Sequence, residues 1–170
     1  MKVFKKSRMF IFLLSLIISL NIYAGDNKNY CFSPNQDMGD STYWASSAID
    51  FFTAGNYEKV IEVVDSCFEY YAEDAIYQQN KLKNANAPIP PEGIVGYFER
   101  EQVFANYALN DLSMALWSKA RSAEKLGKKD VAMDAYSKCI FLEYGRAWDP
   151  KGWFWNPSKD CIKRGRGLLK

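Results

Sequence analysis

The chain has 170 residues, with 22 Lys and Arg against 20 Asp and Glu, and no histidine. The missing histidine excludes His-based triads, HExxH metalloprotease sites and most zinc catalysis. Four of the basic residues and none of the acidic ones lie in the first 24 positions, so residues 25–170 carry 18 basic and 20 acidic groups. That near-neutral balance argues against nucleic acid, which needs a basic footprint to neutralise phosphates.

Residues 1–24 read as a secretory signal peptide. Lys2, Lys5, Lys6 and Arg8 form a positive start, Met9 to Leu20 an apolar run, and Ile22-Tyr23-Ala24 a cleavage-like end. The run is shorter than the roughly 20 residues a spanning helix needs. The expected product is a soluble protein exported through a Sec-type route, periplasmic or secreted, with no stable membrane insertion after cleavage. The remaining 146 residues suit one domain.

Residues 25–40 are polar and turn-rich, an irregular leader holding Cys31. A helical domain is expected over 41–146. Ser41 or Thr42 caps its start, and Trp44, Ala48, Phe51 and Phe52 recur at helical spacing up to Gly55-Asn56. Tyr57, Val60, Ile61, Val64, Cys67 and Phe68 form a second apolar stripe ending near Tyr71. Glu73 to Asn84 reads as a separate short helix, and Pro88-Ile89-Pro90-Pro91 as a loop. Ile94, Tyr97, Phe98, Val103, Phe104 and Tyr107 give one more amphipathic face. Asn110 or Asp111 opens a helix to about Leu126, and Asp130 caps the final one. No window sustains period-two alternation, so the expected class is all-α.

Two segments share one layout. Trp44, Ala48, Phe51, Gly55, Tyr57, Val60, Val64 and Cys67 have the same spacings as Leu116, Ala120, Ala123, Gly127, Lys129, Ala132, Tyr136 and Cys139. This pattern resembles the tetratricopeptide repeat, seen in exported bacterial proteins among others. The resemblance implies stacked antiparallel helical hairpins, a short α-solenoid. The 72-residue offset fits two periods with a degenerate unit between. Such stacks expose a groove formed by first helices, which would place Tyr43, Ser47, Asp50, Lys119 and Ser122 in contact with a protein or peptide.

All four cysteines lie beyond the signal, and an even count in an oxidising compartment suggests two disulfides. Sequence order leaves three pairings open. In a hairpin turning at Gly55, Cys67 lies level with the start of the first helix, beside Cys31. Cys139 ends the last helix, and Cys161 follows a tryptophan-rich loop. The favoured pairing is therefore Cys31–Cys67 and Cys139–Cys161.

Residues 147–170 hold that loop, AWDPKGWFWNP, and a basic tail of Lys163, Arg164, Arg166 and Lys170 read as solvated. The first reading is a cap, with Trp153 and Trp155 turned inward over the last hairpin. The rival is an exposed platform in which Trp148, Trp153 and Trp155 stack on a sugar while Arg146, Asp149 and Lys151 supply polar contacts. Catalysis has little support. Glu58/Glu62 and Asp130/Asp134 share helix faces, as exposed carboxylates often do. Ser118-Lys119 and Ser137-Lys138 lack a spaced base. The leading expectation is a non-catalytic module of the cell envelope that binds protein or peptide, without cofactor or metal. A cell-wall glycan module comes second, and a carboxylate hydrolase third.

Overall fold

The computed structural model describes residues 28–169, so the signal-peptide reading lies outside the described residues. In chain order the elements are α1 (Asp40–Thr53), α2 (Tyr57–Asn84), α3 (Tyr97–Ala105), α4 (Tyr107–Lys125), α5 (Lys129–Phe141), β1 (Ala147–Asp149), β2 (Trp153–Trp155) and α6 (Pro157–Leu168). Over the described residues the fold is all-α, six packed helices carrying one small β-hairpin. Strands of three residues are too short to register as alternation in the sequence.

The two segments of matched spacing form the two hairpins, α1/α2 and α4/α5. Each turns in the same way. Gly55 and Gly127 take φ of +77° and +69°, a region costly to residues with a Cβ. The following amides, Asn56 and Lys128, bond back to Phe51 and Ala123 carbonyls, closing the orphaned helix end. Ala48, Ala120, Val60 and Ala132 are fully buried at the helix contacts, where their small size lets the backbones approach. Trp44, with its indole N–H donating to the Val63 carbonyl at 2.9 Å, fills the space inside the first hairpin.

The second helix runs on where a break near Tyr71 was expected. Nothing between Tyr71 and Asn84 breaks a helix, and Ala72, Ala75 and Gln79 continue the buried stripe of α2 to 28 residues. Asn86, at φ +48°, ends it. The expected degenerate unit between the hairpins is absent. Both α1 and α2 pack directly on α4, so the hairpins are neighbours. The intervening chain is spent on the longer α2, the proline loop and α3, which buries little beyond Val103. Helix α4 starts at Tyr107, ahead of the expected Asn110.

The described part of the basic tail lies in the helix α6. Asn156 Oδ1 accepts from the Lys159 amide, and Pro157 stands at the first turn, where a missing N–H costs nothing. Pro157, Ser158, Cys161 and Gly165 form its buried stripe against α5. Its basic residues face outward or are paired, Arg164 with Asp160 at 2.7 Å. The outer face of α5 is thus covered by α6, rather than by the tryptophan loop. Disulfides join Cys31 to Cys67 and Cys139 to Cys161. The first ties the leader to α2, and the second ties α6 to α5.

Candidate functional site: an aromatic cleft with a half-buried carboxylate

The hairpin of β1 and β2 follows from its turn residues. Asp149 accepts the Lys151 amide on its side chain and the Gly152 amide on its carbonyl, with Pro150 at the first corner. The strands pair Ala147 with Trp155, Trp148 with Phe154 and Asp149 with Trp153. Both backbone groups of Phe154 bond to Gly93 on the far side, at 2.7 and 2.9 Å. The order across this small ribbon is therefore Gly93, β2, β1.

Alternation of side chains along strands separates the tryptophans. Trp148 and Phe154 share one face, their rings 4.9 Å apart. Trp153 and Trp155 occupy the other, where Trp155 meets Trp117 edge-on. The residue buried from this loop is Phe154, 2% exposed, while Trp153 and Trp155 are half-buried. Neither the inward pair of tryptophans nor one platform of three is formed. Arg146 is also not free for a ligand carboxylate. Its guanidinium donates to the carbonyls of Pro90, Pro91, Glu143 and Gly145, clamping the proline loop to the start of the hairpin.

Between the hairpin, α1 and α4 lies a cleft of about 240 Å³, lined by Thr42, Phe104, Tyr107, Asn110, Asp111, Met114, Arg146, Ala147, Trp148 and Phe154. Tyr107, Asp111 and Met114 fall on one stripe of α4. Phe104 comes from the end of α3 and meets Phe154 edge-on at 5.5 Å. Arg100 lies over the Trp148 ring at 5.4 Å. Tyr107 is also a wall of a second cleft, about 320 Å³, which adds Asp40, Tyr71 and Asp74.

Asp111 is the polar centre. Ser41 Oγ and Thr42 Oγ1, in the first turn of α1, both donate to its Oδ2, at 2.7 and 3.0 Å. Its Oδ1 receives no donor among the described residues. Burial disfavours the charged form and pushes this carboxyl up to about 6, against the opposing effect of the two hydroxyl bonds. The result is an acceptor oxygen, short of counter-charge, at the base of an aromatic cleft. Such a constellation grips a cationic or hydrogen-bond-donating group.

The residues expected in a groove lie elsewhere. Ser47 is 8% exposed and Ser122 fully buried, so neither hydroxyl is open to a ligand. Lys119 pairs with Asp65 of α2. Tyr43 is half-buried and stacks on Tyr30, and Asp50 is exposed near the end of α1. Asp149 serves the hairpin turn. Of the eleven residues expected to make contacts, Trp148 and Arg146 line the cleft, and Arg146 has its donors turned onto loop carbonyls. Thr42, Phe104, Tyr107, Asp111 and Met114 were missed as contacts. The one available signal was the mixed aromatic and acidic stripe at 107, 111 and 114. Among the carboxylate pairs, Glu62 bonds Lys59 and Asp134 bonds Lys138, all on helix surfaces. No group of three or more metal-ligating side chains occurs among the described residues. None of the described helices is long and apolar enough to cross a membrane.

Comparison of the chain with protein-family models, with curated proteins and with solved structures finds no match.

Proposed function

We propose that this chain is an exported helical-repeat module that holds a segment of another protein in the cell envelope, with the aromatic cleft as its contact. The cleft carries the proposal. At about 240 Å³ it is smaller than the roughly 300–1,000 Å³ of pockets that enclose a small molecule. It suits one or two side chains of a longer ligand lying across the rim. Phe104, Tyr107 and Trp148, each exposed at that rim, offer the large aromatic contacts on which interface energy concentrates. The matched hairpin spacings, similar to those of tetratricopeptide repeats, and the signal-like residues 1–24 support the same reading.

The test is capture from envelope extract on immobilised protein, comparing the native chain with Phe104→Ser/Tyr107→Ser. Both side chains are exposed, so the fold tolerates the change. A protein retained by the native chain and reduced at least tenfold by the double substitution is the expected result. Equal retention by both refutes the role of the cleft.

A further inference from the structure

The cleft is bounded by an open strand edge. Phe154 spends its N–H and C=O on Gly93, so its pairing with Trp148 is the non-hydrogen-bonded kind. The backbone N–H and C=O of Trp148 therefore point away from β2. The Arg146 amide, two residues earlier and on the same side of the strand, donates to Asn110 Oδ1 at 2.8 Å. That bond shows where the edge looks: toward α4 and into the cleft. Asn110 closes the first edge position. The next, at Trp148, has no backbone partner among the described residues.

Carboxylates predominate around this edge, with Arg100 held over the Trp148 ring at 5.4 Å. Asp111 stands in the cleft, and Asp40 and Asp74 line the adjoining one across Tyr107. The one basic residue lining either cleft is Arg146, and its donors are turned onto loop carbonyls. A cation entering the cleft meets Asp111 Oδ1 within a lining that includes Tyr107 and Trp148.

We propose that the cleft takes an extended peptide segment by strand addition to β1, with a lysine or arginine side chain of that segment seated on Asp111. The peptide backbone exchanges hydrogen bonds with Trp148, which gives affinity independent of sequence. The basic side chain supplies selection, because a half-buried acceptor without counter-charge favours a ligand that brings one. This inference rests on the peptide-binding reading above and narrows it to one geometry and one ligand charge.

The probes are nine-residue peptides of alternating Thr and Val, acetylated and amidated, with a central Lys, norleucine or Glu. Binding is read on 15N-labelled protein from cleft resonances and from hydrogen exchange of the Trp148 amide. The Lys peptide is expected to bind at least tenfold tighter than the Glu peptide. Trp148 amide exchange should slow at least tenfold at saturation. N-methylation of a single peptide amide should abolish that protection. Asp111→Asn should bring the Lys and Glu affinities within about twofold of each other. Binding in the cleft with Trp148 still exchanging freely, or with no preference for Lys, overturns strand addition while leaving the peptide-binding reading in place. If no member of the panel perturbs the cleft resonances, the inference is also overturned, and the capture experiment then decides the broader reading alone.

Discussion

Replacing Asp111 by Asn should stabilise this protein at neutral pH, although it weakens a visible hydrogen-bonded link. Asn keeps an acceptor oxygen for Ser41 and Thr42 and removes the charge. The folded carboxyl titrates at about 6, against an ordinary value of 3.8. The folded state thus binds the proton more tightly than the unfolded state. The contribution is fully present below about pH 4 and is lost as pH rises through about 6. A rise of that size corresponds to about 3 kcal/mol at pH 7.5. Urea unfolding with the disulfides intact, at pH 4 and pH 7.5, measures it. The native chain should lose stability between the two pH values relative to Asp111→Asn. The variant should be about 2–3 kcal/mol more stable at pH 7.5 and within about 1 kcal/mol of native at pH 4. A variant that is less stable by the same amount at both pH values would refute the reasoning. Asp111 would then act as a structural brace whose hydrogen bonds outweigh its desolvation. A stabilising substitution in a cleft is itself informative, since binding sites often retain groups that cost the fold stability.

Two further predictions concern the supports of the cleft. Arg146→Met keeps the aliphatic stem but leaves the carbonyls of Pro90, Pro91 and Gly145 without their side-chain donor, while Glu143 keeps Asn156, at roughly 1–3 kcal/mol for each one left buried and unsatisfied. Chymotrypsin should then nick the chain at Tyr97 or Phe98 at least tenfold faster, and unchanged nicking would contradict the clamp. Replacing Cys139 and Cys161 together by Ala opens a loop of 22 residues, for a loss of about 3 kcal/mol. Amides of α6 should exchange ahead of those in α4, and a uniform acceleration along the chain would mean that α6 is not separately tethered.

The local half of this structure was legible in the sequence. Apolar residues at helical spacing, with Gly55 and Gly127 at equal intervals from them, describe two hairpins, because helix periodicity and a left-handed turn are properties of short stretches. The cysteines paired in the structure are those that hairpin geometry brings near each other. The tail helix escaped notice because its buried stripe is built from Pro157, Ser158 and Gly165 around the single apolar Cys161, too little hydropathy to read as a helix face.

Tertiary packing decided the rest. The offset between hairpins suggested a third unit, yet α1 and α2 close directly on α4, and the chain between them is extruded as a longer helix and a loop. Ser47 and Ser122 looked like groove residues and are closed to a ligand, since packing buries a small side chain whatever its polarity. The cleft itself joins α1, α3, α4 and the hairpin. Asp111 reads in the sequence as an ordinary helix-start acid. Only the packing of α1 and β1 around it strips away part of its water and makes it a candidate site, because desolvation belongs to the surroundings of a residue and not to the residue.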